Sequence, residues 1–263
     1  MIDRPKISFW YQLGIQCRVV WALVLREMIT RYGREGIGVI WLVVEPAMFI
    51  VGVMFIFSII ETPRDGISIA EYLAVSYPTI LLWRNTSNRL SKALEANRAL
   101  LYYNPIRPID LFYARIALEF TGAIASFLIL FLVFVALGIC QLPDNVLLMT
   151  CGYLMVLWFS FGFVLVLGAL SELSESIERV SHIILYLMLP FTGVFLPAHF
   201  VPAQYRDMLM LTPLINCVEM FHAGYFGDRM ETYYAIPYTM ACNLILTFAG
   251  LVLTNHAIRR VKL

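Results

Sequence analysis

The chain has 263 residues, of which 60% are apolar and 14% are charged, and its formal net charge is +1 at pH 7. A soluble domain of this size contains about 45–50% apolar and about 25% charged residues, so the composition excludes an ordinary soluble enzyme or binding module. The balanced net charge gives no indication of a nucleic-acid partner, and we expect none.

The apolar residues form long blocks, four of which contain no Asp, Glu, Lys or Arg. Each block reaches or exceeds the roughly 20 residues that span a bilayer core of about 30 Å. Two less obvious spans precede them, one containing Glu45-Pro46 and the other interrupted by Pro78. The sequence therefore predicts an all-α, polytopic membrane protein with six transmembrane helices, near 39–60, 69–83, 117–140, 146–170, 181–197 and 236–257.

The basic residues predict the orientation of these spans. With the N-terminus inside, 16 of the 19 Lys and Arg residues lie in cytoplasmic segments, as the positive-inside rule requires. The three exceptions are Arg64, Arg206 and Arg229. We therefore expect a multi-pass protein with both termini in the cytoplasm.

Residues 1–38 precede the first span and are predicted to form a cytoplasmic amphipathic helix in the membrane interface. Simple anchoring explains such a helix as well as contact with a cytoplasmic partner, and both interpretations remain open. At helical spacing the apolar side chains share one face, which carries Trp10, Leu13, Cys17, Val20, Trp21, Val24 and Met28.

The remaining residues, 39–263, are predicted to form one transmembrane domain, whose first span carries the carboxylate of Glu45. A carboxylate in lipid costs roughly 2.5–3.5 kcal/mol on insertion scales, so such a residue is a functional candidate by default. A salt bridge to Arg31 or Arg34 is an equally good explanation.

The segment 84–115 is long and basic, and in it Tyr102-Tyr103-Asn104-Pro105-Ile106-Arg107-Pro108 follows a helical-looking run. Two prolines at this spacing stop a helix. A short helix that ends in a rigid elbow on the cytoplasmic side suits docking into a partner's cleft. An ordinary connecting loop is the alternative.

The external segment 198–235 is too apolar for a solvated loop. Pro202 is suited to open one short helix, and Pro213 a second one. The second helix would place four side chains on one stripe. The pair would either cap the bundle or form a gate at its outer mouth. The stripe consists of Leu214, Val218, Phe221 and Tyr225.

The chain has no evident site for nucleotide, metal or nucleophilic chemistry. Gly33 and Gly38 have the spacing of a P-loop, but Val39 and Ile40 stand where Lys and Ser or Thr must hold phosphate and Mg²⁺. The four histidines are isolated from one another, with no acidic cluster at metal-ligand spacing. We expect no catalytic residue, no metal site and no cofactor in this chain.

Three groups of residues form motifs that occur together: Arg26–Gly33 with Ile37-Gly38, Trp41 and Glu45-Pro46; Glu95-Ala96-Asn97 with Leu101–Asp110 and Ala114-Arg115; and Pro213-Leu214 with Val218-Glu219. This combination resembles the permease subunits of ABC exporters of the ABC-2 type, and in particular the capsular polysaccharide export permeases of the KpsM type. The resemblance covers nearly the whole chain.

The resemblance implies a homodimer in the bacterial inner membrane, docked on two copies of a separate ATPase subunit that binds ATP and Mg²⁺. The complex would export a lipid-linked anionic polysaccharide, with a periplasmic adaptor as a further partner. The residues implied in ATPase coupling are Glu95, Asn97, Tyr102, Tyr103, Asn104, Pro105, Arg107, Pro108 and Asp110.

The candidate substrate path combines arginines that would collect an anionic terminus with an aromatic residue that would stack on sugars. It consists of Arg31, Arg34, Trp41, Glu45, Arg84 and Arg89. These arginines could equally serve only to fix topology and bind lipid headgroups. The candidate outer gate consists of Pro202, Pro213, Glu219 and His222.

One departure from the family pattern concerns this gate. The resemblance implies Asn, His and Arg at three positions where this sequence has Thr212, Asn216 and His222. A fixed positive charge at the outer gate is therefore not expected. Two alternative functions stay open: a permease for another glycan (O-antigen or teichoic acid) or a drug, and a membrane-embedded glycan or lipid enzyme.

Overall fold

A computed structural model describes residues 9–32, 37–60, 66–90, 108–195 and 197–261. Nearly all of this part of the chain is helical, which confirms the all-α prediction. The helices are α1 Phe9–Tyr32, α2 Ile37–Ile60, α3 Ile69–Leu90, α4 Pro108–Ala136, α5 Val146–Leu173, α6 Glu175–Met188, α7 Ala203–Met210, α8 Pro213–Phe226 and α9 Ile236–Val261.

Among the described residues, three helices are long and apolar enough to cross a membrane: Ile109–Ala136, Val146–Leu173 and Ile236–Arg260. A shorter apolar stretch, Pro46–Ile56, lies within α2. We call the end of the bundle at which α3 ends and α4 begins the proximal end. The distal end is the one at which α4 ends and α5 begins.

The helix expected over 181–197 has different bounds in the structure. Helix α6 covers Glu175–Met188 and passes into a 3₁₀ turn over Leu189–Thr192. Ser174 has an extended backbone conformation and directly precedes the first residue of α6. The charged residues that follow Ser174 are therefore part of the helix. At the other end Gly193 has φ +77°, a left-handed conformation that favours glycine and ends the turn.

The segment expected as a loop over 84–115 is largely helical at both of its ends. Helix α3 continues to Leu90, and α4 already begins at Pro108. Proline is favoured in the first turn of a helix because its missing N–H has no partner there in any case. Helix α3 is thus seven residues longer than its predicted span, and it contains Pro78 without ending there.

Helix α5 is the centre of the bundle and lies against α8 and α9. A Cβ atom added at Gly152 would lie 2.4 Å from the backbone nitrogen of Phe221, and one at Gly224 would lie 2.0 Å from that of Met149. The α5 and α8 backbones therefore touch at two glycines. The four residues of the predicted stripe of α8 are buried, but so are nearly all residues between them, so the helix is buried on all sides and not on one face.

Helix α1 lies along α4, and both apolar and polar side chains of α1 contact it. Leu23 and Val24 are buried in a small apolar core that includes Phe112. The polar side chains of Gln16 and Glu27 also contact α4. Of the apolar face predicted for this helix only Val24 is buried, whereas Trp10 is 76% and Trp21 is 63% exposed.

Candidate functional site

Most of the predicted ATPase-coupling residues fall outside the described part of the chain. They are Glu95, Asn97, Tyr102, Tyr103, Asn104, Pro105 and Arg107. Arg34 of the candidate substrate path is outside it as well. Arg31, Glu45 and Pro108 lie in α1, α2 and α4, and their side chains are outside the described set.

Asp110, the last of the coupling candidates, is buried in the first turn of α4, with 2% of its surface exposed. Its carboxylate accepts a hydrogen bond from Gln16 Nε2 of α1 at 2.9 Å. Asp110 therefore holds α1 against the start of α4. This contact is within the chain and fixes the position of the helix that follows the 91–107 segment.

Four charged side chains continue this contact along the proximal end. Arg115 Nε of α4 donates to Glu27 Oε1 of α1 at 3.2 Å, and its Nη1 donates to the carbonyl oxygen of Arg89 at 2.7 Å. Arg89 Nη1 in turn lies 3.3 Å from both carboxylate oxygens of Glu119. The network links α1, α3 and α4 at the two positions that flank the 91–107 segment.

Arg84, another candidate for the substrate path, lies on the side of α3 that faces α2. Its guanidinium carbon is 5.8 Å from the ring centre of Phe49. The Phe49 ring is stacked on Tyr77 with 4.6 Å between the centroids. The cation thus lies against an aromatic pair, an arrangement that stabilises an arginine in an apolar environment.

A cavity of about 70 Å³ lies between α2, α3 and α4 at the proximal end, and it brings together two of the predicted substrate residues. Trp41 lines it from α2 and Arg89 from α3. Glu119, also part of its wall, was not among the predicted site residues. A charged residue two positions inside the expected 117–140 span was the signal that would have identified it.

Two of the four outer-gate candidates are prolines that begin short helices. Pro202 is the residue before the first helical residue of α7, and Pro213 opens α8. The two short helices expected between 198 and 235 therefore exist. Neither proline contributes chemistry, because each acts through the backbone geometry that it fixes.

Glu219 of α8 is fully buried and joins three segments of the distal end. Its Oε1 accepts a hydrogen bond from Ala198 N at 3.1 Å, and its Oε2 accepts one from Tyr233 N at 3.0 Å. The carboxylate thus satisfies two backbone N–H groups of the segments that precede α7 and α9. In this geometry Glu219 holds the connecting segments together.

His222 lies one turn after Glu219 and is also fully buried. Its Nε2 lies 2.7 Å from Ser76 Oγ of α3, and its Nδ1 lies 4.0 Å from Glu219 Oε1. A buried imidazole between a hydroxyl and a carboxylate connects α8 to α3. Ser76 gave no sequence signal, because a serine in an apolar helix has no periodic pattern.

A second polar cluster at the distal end was also missed by sequence reasoning. Glu71, in the first turn of α3, accepts hydrogen bonds at Oε1 from Tyr225 OH at 2.9 Å and from Arg229 Nη1 at 3.0 Å. The backbone N–H of Gln141 donates to Tyr225 OH at 3.0 Å. The cluster ties α3, α8, the turn after α8 and the α4–α5 loop together at the distal end.

The fold and these sites define a polytopic membrane protein whose helices are joined by buried polar contacts at both ends. The sequence profile described as ABC-2 type transporter matches residues 18–226. The chain belongs to the ABC-2 type transporter family. The resemblance stated from its motifs is therefore confirmed at the level of the family.

Curated relatives match the chain over nearly its whole length. The capsule polysaccharide export inner-membrane protein CtrC of Neisseria meningitidis serogroup B is 33% identical over 98% of this chain and 97% of its own. The protein of the same description named BexB from Haemophilus influenzae is 31% identical over 98% and 97%. The polysialic acid transport protein KpsM of Escherichia coli is 27% identical over 91% and 93%.

Proposed function

We propose that this protein is the transmembrane permease subunit of an ATP-driven ABC exporter that moves lipid-linked capsular polysaccharide across the bacterial inner membrane. One observation carries the proposal: relatives named for capsule polysaccharide export align with 98% of the chain. A match of that extent includes every helix described above.

The proposed topology has six spans, formed by α2, α3, α4, α5, α6 with its 3₁₀ turn, and α9. Both termini and the proximal end lie in the cytoplasm, since 16 of 19 basic residues then lie inside. Helices α7 and α8 lie at the periplasmic face, where the buried Glu219 and Glu71 clusters support a closed outer gate.

Two copies of the permease and two copies of an ATPase form the proposed complex, with a periplasmic adaptor on its outer face. The ATPase subunits bind ATP and Mg²⁺. Their movement would act on the 91–107 segment and reach α1, α3 and α4 through Arg89, Arg115 and Asp110. The support for this route is that Arg89, just before the segment, and Asp110, just after it, both take part in contacts between these helices.

Co-purification tests the proposal against a membrane enzyme that acts alone. The tagged permease should retain an ABC ATPase in mild detergent, and ATP hydrolysis should require that second subunit. Arg115→Ala serves as the coupling variant, and it should lower substrate-stimulated ATP hydrolysis severalfold while the complex still assembles. Turnover of a glycan or lipid by the permease alone would contradict the proposal.

A further inference from the structure

The proximal cavity has a composition that neither the coupling network nor the predicted anion path explains. Its polar wall comprises Asn85, Thr86 and Arg89 of α3 with Glu119 and Ser126 of α4, and Trp41 lines it from α2. Trp41 is 57% exposed, so its ring is accessible from outside the cavity. The cavity itself, at about 70 Å³, has room for the volume of about two water molecules.

The charge of the cavity argues against an anion as its ligand. Arg89 is already paired with both oxygens of Glu119 at 3.3 Å, and the Glu119 side chain is only 7% exposed. An incoming phosphate or carboxylate would meet a compensated cation next to a buried carboxylate. The negative charge of Glu119 would repel the negative charge of such a ligand, and the repulsion is strong where water is scarce. The predicted role of Arg89 as a collector of anions is therefore not supported by its surroundings.

The hydrogen-bonding groups of the cavity argue for a neutral hydroxylated ligand. Within the described part of the chain, neither the amide of Asn85 nor the hydroxyl of Ser126 makes a hydrogen bond. Thr86 donates its own proton to Leu82 O at 2.6 Å and so retains only acceptor capacity. Together with the ion pair, the wall offers donors and acceptors side by side, which is what hydroxyl groups require.

The cavity is too small for a whole hydroxylated ligand, so the part of the ligand that stays outside would lie on Trp41. The cavity is far smaller than the roughly 300–1,000 Å³ of pockets that enclose a whole ligand, so a sugar ring does not fit inside. The indole at its edge offers a flat apolar face on which a ring can lie. A pyranose has one apolar face and a rim of hydroxyls, and the cavity with Trp41 matches this division.

We propose that the proximal cavity binds the hydroxyl edge of one sugar unit of the exported chain, while the ring of that unit lies on Trp41. The inference rests on the proposed function, because it takes the exported glycan as the ligand. It assigns Asn85, Ser126 and the Arg89–Glu119 pair to recognition of hydroxyl groups. Charge on the glycan plays no part in this contact.

The test uses the permease in complex with its ATPase, reconstituted in lipid nanodiscs. The probe is a lipid-free oligosaccharide cut from the polysaccharide that the cell itself exports, and the dissociation constant is measured by calorimetry. Trp41→Ala and Asn85→Leu should each weaken binding by about tenfold, the loss expected for one or two direct contacts. Trp41→Phe should stay within about threefold, because a flat ring remains.

Trp21→Ala is the matched control, since Trp21 is 63% exposed on α1 and does not line the cavity; it should bind as the wild type does. Wild-type affinity should also change by less than about threefold between 50 and 500 mM NaCl, because contacts to hydroxyls are not screened as ion pairs are. Assembly with the ATPase, measured by size-exclusion chromatography, checks that each variant is folded.

Wild-type affinity that falls steeply with salt would overturn the inference in favour of an anion site. Cavity variants that bind as the wild type does would overturn it in favour of a hydrated cavity. If the wild-type complex exports polysaccharide in either case, the proposed function stands and only the assignment of the cavity fails. A wild-type complex that neither binds the oligosaccharide nor exports the polymer would contradict both.

Discussion

The carboxylate of Glu219 is the most consequential single group at the distal end. It is fully buried, and each of its oxygens accepts the N–H of a different connecting segment. A buried N–H without a partner costs about 1–3 kcal/mol. The side chain therefore stabilises two loops at once. Its removal would leave the backbone N–H groups of both Ala198 and Tyr233 without an acceptor.

We predict that Glu219→Ala lowers the free energy of unfolding by about 2–5 kcal/mol, because two buried N–H groups lose their acceptor. Glu219→Gln should cost less, since the amide keeps one acceptor oxygen. Denaturant unfolding of the purified protein in detergent measures both. Asp207→Ala is the control, because Asp207 is exposed, and its effect should be within about 0.5 kcal/mol. An equal loss for the Glu219 and Asp207 variants would contradict this account.

The sequence indicated that Glu219 matters but not what it does. The resemblance placed it at an outer gate, whereas its contacts are to backbone atoms 21 and 14 residues away. Both partners lie in connecting segments without periodic pattern. No spacing rule predicts such a contact, because it depends on how α7, α8 and α9 pack. Trp41 and Arg89 are a different case, since both were singled out and both line the same cavity.

At the scale of elements, the contact between α5 and α8 depends on two glycines. Any side chain at Gly224 would overlap the α5 backbone, because its Cβ would lie 2.0 Å from Met149 N. The polar distal clusters are carried by the same α8 helix. The helix pair must therefore stay in contact for Glu219, His222 and Tyr225 to reach their partners.

Gly224→Ala should destabilise the protein by about 3 kcal/mol or more, because neighbouring backbones cannot yield as a flexible side chain does. Gly52→Ala is the matched control: Gly52 is helical, and a Cβ there meets nothing within 4 Å. It should be neutral or stabilising by about 0.5–1 kcal/mol, since alanine favours the helix. Thermal unfolding in detergent compares the two, and a Gly224 variant as stable as the wild type would contradict the packing.

The contact between α1 and α4 leads us to predict unequal losses of stability for variants of its two charged residues, Arg115 and Glu27. Arg115→Ala removes the bonds to both Glu27 and Arg89 O, so it should lower the free energy of unfolding by about 1–3 kcal/mol. Glu27→Ala should cost less, because Arg115 keeps its carbonyl acceptor. Denaturant titrations of the two single variants and the double variant measure the coupling. Fully additive losses would mean that the two side chains do not interact.

The apolar blocks and the prolines predicted where the helices lie more accurately than they predicted where each helix ends. Pro213 begins α8 as expected, and the 236–257 span matches the start of α9. The end of the fifth span was misplaced because its apolar run continues past Gly193 into chain that is no longer helical. Composition measures affinity for lipid, whereas the end of a helix is set by local backbone conformation.

For the whole molecule, the distribution of basic residues predicts that the α4–α5 loop and α1 lie on opposite sides of the membrane. Single cysteines in a background that otherwise lacks cysteine test this. A membrane-impermeant maleimide should label Leu142→Cys in spheroplasts, since Leu142 is 75% exposed in that loop. It should label Gln12→Cys only after lysis. The opposite pattern would reverse the orientation.

Cys140, kept as the only cysteine of a further variant, serves as the control in this experiment. Its side chain is 5% exposed, and burial raises the pKa of its thiol to about 11. At pH 7 it is therefore protonated, and the thiol form is unreactive toward maleimide. We expect no labelling of Cys140 from either side. Rapid labelling would mean that the distal end is open in the membrane.

The whole-chain similarity to capsule export proteins leads to one central claim, that the protein exports polysaccharide that is made inside the cell. Deletion of its gene, with complementation by the wild type, tests this most directly when surface and intracellular polysaccharide are measured separately. The account predicts that the deletion strain loses surface polysaccharide and accumulates the polymer in the cytoplasm. Unchanged surface polysaccharide in the deletion strain would contradict it.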